Sequence, residues 1–148
     1  MTTKIKQEKM KKIKTGKPLS ERESESLNLY LNEIGKEELL SDDEENKLSQ
    51  QIQQGGARSE RAINKLTSAN LRFVVAIAKQ YTDRGVGILD LISEGNIGLM
   101  KAAMSFDGSR GLRFVGYAEP FVRRAIEAAV NEQSGIFRLP KHENSPEE

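Results

Sequence analysis

The sequence predicts an all-α protein, a compact multi-helix bundle. Two capping-box signals carry much of that prediction: Ser20 with Glu23 and Ser41 with Glu44, each followed by apolar residues at helical spacing. Apolar residues recur at intervals of three and four along the chain, and no segment keeps the strict alternation of a half-buried strand. Glycine-rich turns separate the periodic runs.

The first helix follows Ser20, carries Leu27, Tyr30, Leu31 and Ile34 on one side, and ends at Gly35. The second follows Ser41. Its acids Asp42, Asp43, Glu44 and Glu45 crowd the positive end of the helix dipole, and Gly55-Gly56 ends it. A long helical pattern then runs from Ala57 to Thr82, with a break at Thr67 to Asn70. Leu71, Val74, Val75, Ala78 and Tyr81 share one face, while Phe73, Ala76 and Ile77 fill others, the mark of a central helix buried among neighbours. The turn 83–87 leads into a helix from Ile88 to Phe106, and the turn 108–111 leads into the last helix, ending near 131–135. Pro120 has no amide hydrogen and crowds the preceding turn, so that helix is expected to start near Gly116 to Glu119 or to bend there.

At 148 residues the chain suits one domain with one core. It divides into a basic flexible arm at 1–19, a helical domain at 20–140 and a polar tail at 141–148. No apolar run approaches the ~20 residues of a membrane span. The Lys-rich start lacks the apolar middle of a secretory signal, and a cytoplasmic location is the simplest expectation. Zero cysteines remove disulfides, thiol catalysis and thiolate metal sites. One histidine, His142, no Walker spacing and no dinucleotide fingerprint argue against an enzyme, and no cofactor or metal is expected.

Net charge is only +1, yet the charges are segmented. Seven lysines and one acid fall in 1–17, six acids in 37–45, and four of the ten arginines in 110–124. The basic start reads as a solvated arm or as a weak phosphate-tracking one. The acids at 42–45 are explained mainly as helix-start chemistry.

Two glycines, Gly95 and Gly98, sit inside the helix that begins at Ile88, each at a cost of about 1 kcal/mol relative to alanine. With Ala102 they form a strip that lets another helix approach closely. Winding at ~100° per residue turns Leu91, Ile92, Leu99 and Ala103 inward. Asp90, Ser93, Glu94, Asn96 and Met100 gather on an outward arc, which taken alone is either solvated surface or a partner face. Farther on, Phe114, Tyr117 and Phe121 share a helical face, with Arg110, Arg113, Arg123 and Arg124 interleaved. That face is either a core stripe or a single-strand DNA surface, in which cations track phosphates and rings receive unstacked bases. Asn70 is either a helix cap or a polar break.

The segment DLISEGNIGLMKAAMSFD (Asp90 to Asp107), preceded by NLRFVVAIAKQY (Asn70 to Tyr81) and followed by RGLRFVGYAEPFVRRAI (Arg110 to Ile126), resembles the bacterial sigma factors of the housekeeping family. The resemblance extends through SLNLYLNEIGKEELLSDDEE (Ser26 to Glu45) and EQSGIFRLP (Glu132 to Pro140). It implies the helical domain that binds core RNA polymerase and the minus-ten promoter element. Asp90, Ser93, Glu94, Asn96 and Met100 would meet the clamp helices of the polymerase's largest subunit, with Ser93 standing where a longer amide is frequent. Asn70, Arg113, Phe114, Tyr117, Phe121, Arg123 and Arg124 would engage the non-template strand and its upstream edge.

The match is uneven. Pro120 and Phe121 replace the family's tryptophan pair, Leu112 stands where an aromatic is usual, and Arg124 and Glu127 occupy positions associated with duplex recognition. The later promoter-binding domains of the family are not expected within these 148 residues. The leading expectation is a sigma-like initiation protein with weakened duplex recognition and bubble nucleation. The alternative is an interaction module that occupies polymerase, or binds an anti-sigma or accessory factor, without melting DNA.

Overall fold

A computed structural model describes residues 18–133. Residues 1–17 of the basic arm, the IFRLP segment, His142 and the polar tail lie outside the described residues. Among the described residues six α-helices form the fold: α1 (Glu21–Ile34), α2 (Asp42–Gln54), α3 (Gly56–Ser68), α4 (Leu71–Ala78), α5 (Ile88–Ser105) and α6 (Phe114–Gln133). Short 3-10 turns at Lys79–Tyr81 and Gly108–Arg110 join them, and no strand occurs among the described residues. None of the described helices is long and apolar enough to cross a membrane.

The local signals perform as the sequence requires. Both capping boxes close reciprocally: Ser20 Oγ accepts from the Glu23 amide at 3.1 Å and Glu23 Oε1 from the Ser20 amide at 3.2 Å. Ser41 and Glu44 repeat this at 3.2 and 2.8 Å. Gly55 and Gly56 have φ of 77° and 80°, so the reversal between α2 and α3 needs residues without a Cβ. Ser59 Oγ then donates to the Ile52 carbonyl at 2.9 Å and ties the two helices together.

The core gathers Leu27 and Ile34 from α1, Leu48 and Ile52 from α2, Leu66 from α3, and Val74 and Ile77 from α4. Leu91, Leu99, Phe106, Phe114, Val122 and Ile126 complete it from the C-terminal half. The α5–α6 pair is the main packing unit, and the glycine strip is its seam. An ideal Cβ on Gly98 would fall 2.5 Å from the Phe121 carbonyl oxygen, and one on Gly95 would fall 2.6 Å from Val74 Cγ1. Close helix approach therefore offsets the propensity cost of both glycines.

Three expectations need correction. The long pattern after Gly55 resolves into α3, α4 and a 3-10 turn, and α3 begins at Gly56. The expected break within Thr67 to Asn70 is present, at Ala69-Asn70, where Asn70 Nδ2 donates to the Leu66 carbonyl at 2.8 Å and so caps the end of α3. Second, α4 is not buried all round, because Ala76 is exposed while Val74, Val75, Ile77 and Ala78 are buried. Third, α6 begins at Phe114 and runs through Pro120. Pro120 removes the hydrogen bond owed to the Gly116 carbonyl, but both residues are exposed, so water can serve that oxygen on the outer side of the helix.

Candidate polymerase and DNA surfaces

The outward face of α5 is a ridge. Asp90, Ser93 and Met100 are exposed on it, and Glu94 is half-buried at its margin. Its centre is apolar: Ile97, Met100 and Met104 are 49%, 44% and 59% exposed, at spacings of three and four. Ile97 and Met104 were not among the arc residues expected from the sequence, although their spacing of three and four from Met100 places them on the same face. Asn96 sits to one side, half-buried, with Nδ2 donating to Tyr30 Oη of α1 at 3.2 Å. Its Oδ1 is buried without a hydrogen-bond partner.

The second region surrounds the start of α6. Phe114 is 0% exposed and meets Phe106 edge-on at 5.2 Å, so its ring belongs to the core and has no free face for a base. Tyr117 is half-buried, its ring 5.6 Å from Phe106 and 5.2 Å from Phe121. Its hydroxyl lies 2.8 Å from Ser105 Oγ. Beside it opens a groove of about 330 Å³ lined by Ser105, Phe106, Asp107, Arg110, Leu112 and Tyr117. Asp107 accepts from the Ser109 hydroxyl at 2.6 Å and its amide at 3.0 Å, and those hydrogen bonds, the side-chain one foremost, hold its carboxyl below the ordinary value. Arg110 was expected beside these rings as a cation, whereas Ser105 and Asp107 were not singled out from the sequence, because only the turn at 108–110 brings them around Tyr117.

The arginines divide into held and open ones. Arg113 donates through Nε to Glu45 Oε1 at 3.1 Å and through Nη2 to Glu45 Oε2 at 3.3 Å and the Leu40 carbonyl at 2.9 Å. Asp42 Oδ1 is 2.8 Å from the same Nε. The hydrogen bonds from Arg113 to Glu45 raise its pKa, which keeps the guanidinium charged. Glu45 is only 3% exposed and also accepts from the Phe114 amide at 3.0 Å, capping α6 from α2. One acid of the 42–45 cluster thus has a long-range role that spacing could not reveal. Arg123 is likewise held, by Glu119 at 2.9 Å and Gln80 Oε1 at 2.9 Å, with its pKa raised chiefly by Glu119. Burial raises the Tyr81 phenol pKa, and its hydroxyl donates to Glu127 at 2.7 Å. Arg124 is exposed and lies 5.3 Å over the Phe121 ring.

The model of sigma-70 factor region 1.2 matches residues 25–58, and that of sigma-70 region 2 matches residues 66–135. Together they cover more than two thirds of the chain. This chain belongs to the sigma-70 family. In the fold, region 1.2 comprises most of α1, all of α2 and the start of α3, and region 2 runs from the end of α3 through α6. Both surfaces described above therefore lie mainly in sigma-70 region 2, with Tyr30, Asp42 and Glu45 supplied by region 1.2.

Similar proteins bear the family name. RNA polymerase sigma factor SigA of Lactococcus lactis subsp. cremoris is 49% identical over 114 residues, 77% of this chain and 31% of that protein. SigA of Clostridium acetobutylicum is 50% identical over 114 residues, 77% of this chain and 29% of its own length. RNA polymerase sigma factor RpoS of Coxiella burnetii is 42% identical over 131 residues, 88% of this chain and 36% of its own. The chain thus spans about a third of the length of these sigma-70 relatives.

Proposed function

We propose that this sigma-70 chain is a transcription-initiation factor that docks on core RNA polymerase through the α5 ridge and captures an unstacked base of the minus-ten non-template strand beside Tyr117. The observation that carries the reading is the ridge itself. Ile97, Met100 and Met104 are exposed with Asp90 and Glu94 around them, an apolar centre with a charged margin, as a protein interface requires. An arginine-bearing helical partner, the clamp helices of the largest subunit, would give the acids charge-assisted hydrogen bonds and the methionines adaptable apolar contact. The groove at Tyr117 has room for one nucleobase, and stacking on an aromatic ring contributes about 1–3 kcal/mol per base. Arg110 lines it as a phosphate partner, and Arg124, over the Phe121 ring that neighbours Tyr117, is a second. The action is binding, not bond-making chemistry, and it takes place in the cytoplasm where polymerase works.

A second reading is favoured by the pairing of Arg113 and Arg123 with internal acids and by Pro120 and Phe121 in place of two tryptophans. The chain then occupies polymerase, or binds an anti-sigma or accessory factor, without opening DNA. Asp90→Lys with Glu94→Lys should abolish capture of core enzyme, and unchanged capture rejects the ridge. Fluorescence anisotropy with single-stranded minus-ten DNA, with and without core enzyme, should show sequence-dependent binding that Tyr117→Ala removes. Equal binding to scrambled strands selects the second reading.

A further inference from the structure

Helix α5 begins without a capping side chain of its own. Gly87 occupies the cap position with φ −64° and ψ 148°, the extended geometry of a capping residue, but it offers no oxygen. The acceptor comes from elsewhere: Glu23 Oε2 accepts from the Ile88 amide at 3.3 Å, across 65 residues. The other oxygen of that carboxylate accepts from the Ser20 amide and closes the box of α1. One side chain thus serves two helix starts. Glu45 does the same kind of work for α6 by accepting from the Phe114 amide. Carboxylates on α1 and α2 therefore cap the two helices that carry the candidate surfaces.

We propose that Glu23 is a positioning residue for polymerase docking, fixing from α1 the first turn of α5 that presents Asp90. The inference rests on the polymerase reading above. Glu23 does not itself face the partner; it acts through the backbone of α5. A cleft of about 540 Å³ between residues 18–23 and 82–87 lies at this joint, so water competes for the Ile88 amide and the carboxylate's hold on it is measurable. Space for a local replacement exists: a Cβ on Gly87 would stand 3.7 Å from Glu23 Oε2 and 3.8 Å from Asp90 Oδ2, ordinary contacts.

Three variants test the assignment, Glu23→Ala, Ser20→Ala and the double variant Glu23→Ala with Gly87→Ser. Hydrogen exchange at the Ile88 and Leu89 amides by NMR, and the Kd for core RNA polymerase, are read on each. Glu23→Ala should speed Ile88 exchange about fivefold, the worth of one cap, and weaken polymerase binding by a similar factor while core amides of α4 and α6 keep their rates. Ser20→Ala breaks only the α1 box and should leave both readouts near the parent. Gly87→Ser added to Glu23→Ala supplies a local cap at the Leu89 amide and should restore its protection and the affinity, while Ile88, the first helical amide, stays fast. Unchanged Ile88 exchange in Glu23→Ala overturns the cap. Restored Leu89 protection with affinity still lost overturns the positioning role. A parent chain that ignores core polymerase overturns the docking role together with the proposed function, and the Ile88 rates then still decide whether Glu23 caps α5.

Discussion

Replacing Gly98 and Gly116 by alanine, one at a time, should move stability in opposite directions although both glycines lie inside helices. Helix propensity alone favours each replacement by about 1 kcal/mol. At Gly116 nothing lies within 4 Å of the new methyl group, so Gly116→Ala should keep most of that gain. At Gly98 the methyl would sit 2.5 Å from the Phe121 carbonyl oxygen and 3.0 Å from Ala125 Cβ. A backbone oxygen cannot swing aside as a rotamer can, so α5 and α6 must separate. Overpacking of this kind costs about 1–3 kcal/mol, and the rigid neighbour places Gly98→Ala at the upper end, a net loss of about 2 kcal/mol. For a domain of this size, each kcal/mol moves Tm by roughly 3–5 °C. Thermal unfolding followed by circular dichroism should therefore show Gly98→Ala lower by roughly 6–10 °C and Gly116→Ala higher by roughly 3 °C. A Gly98→Ala protein at least as stable as the parent would refute the account of the seam between α5 and α6.

Two further outcomes follow from the charged contacts. Glu45→Ala leaves the Phe114 amide without its acceptor and should destabilise the chain by about 1–3 kcal/mol in urea unfolding, with Arg113, half-exposed, adding little. A midpoint equal to the parent's would remove Glu45 from the account of how α6 starts. The carboxyls of Glu44 and Asp107 are both held below their ordinary values, by hydrogen bonds from Ser41 and Ser109 respectively. Their contribution is fully present above the ordinary carboxylate range and is lost as pH falls through the depressed folded values. The Tm should stay level from neutral pH to about 5 and fall below about 4, and Ser109→Ala should make the fall shallower. A Tm that rises on acidification contradicts this sign.

How far the sequence alone reached depended on the range of the interaction concerned. The starts of α1 and α2 were written within four residues each, because a serine and a glutamate three apart satisfy each other's amides before any tertiary contact forms. The inward and outward faces of α5 followed from winding, and Gly95 and Gly98 announced a close neighbour without saying which. The motifs placed the chain among sigma factors, and the family models agree.

Distance along the chain marked where that legibility ended. Phe114, Tyr117 and Phe121 share a helical face, yet Phe106 closes over the first and leaves the other two half-open. Arg113 and Arg123 looked alike as phosphate partners until Glu45, 68 residues away, and Glu119 with Gln80 took hold of them. Pro120 looked like a helix start, and its place on the exposed side of α6 made it a tolerable interior residue. The amino-acid order by itself determined the helices, their faces and the family, since hydrogen bonds and periodicity act over three or four positions. Only the tertiary structure decided which rings stay open, which cations stay available and which carboxylates cap α5 and α6. Those outcomes depend on side chains brought together from dozens of residues apart, and packing alone selects such partners.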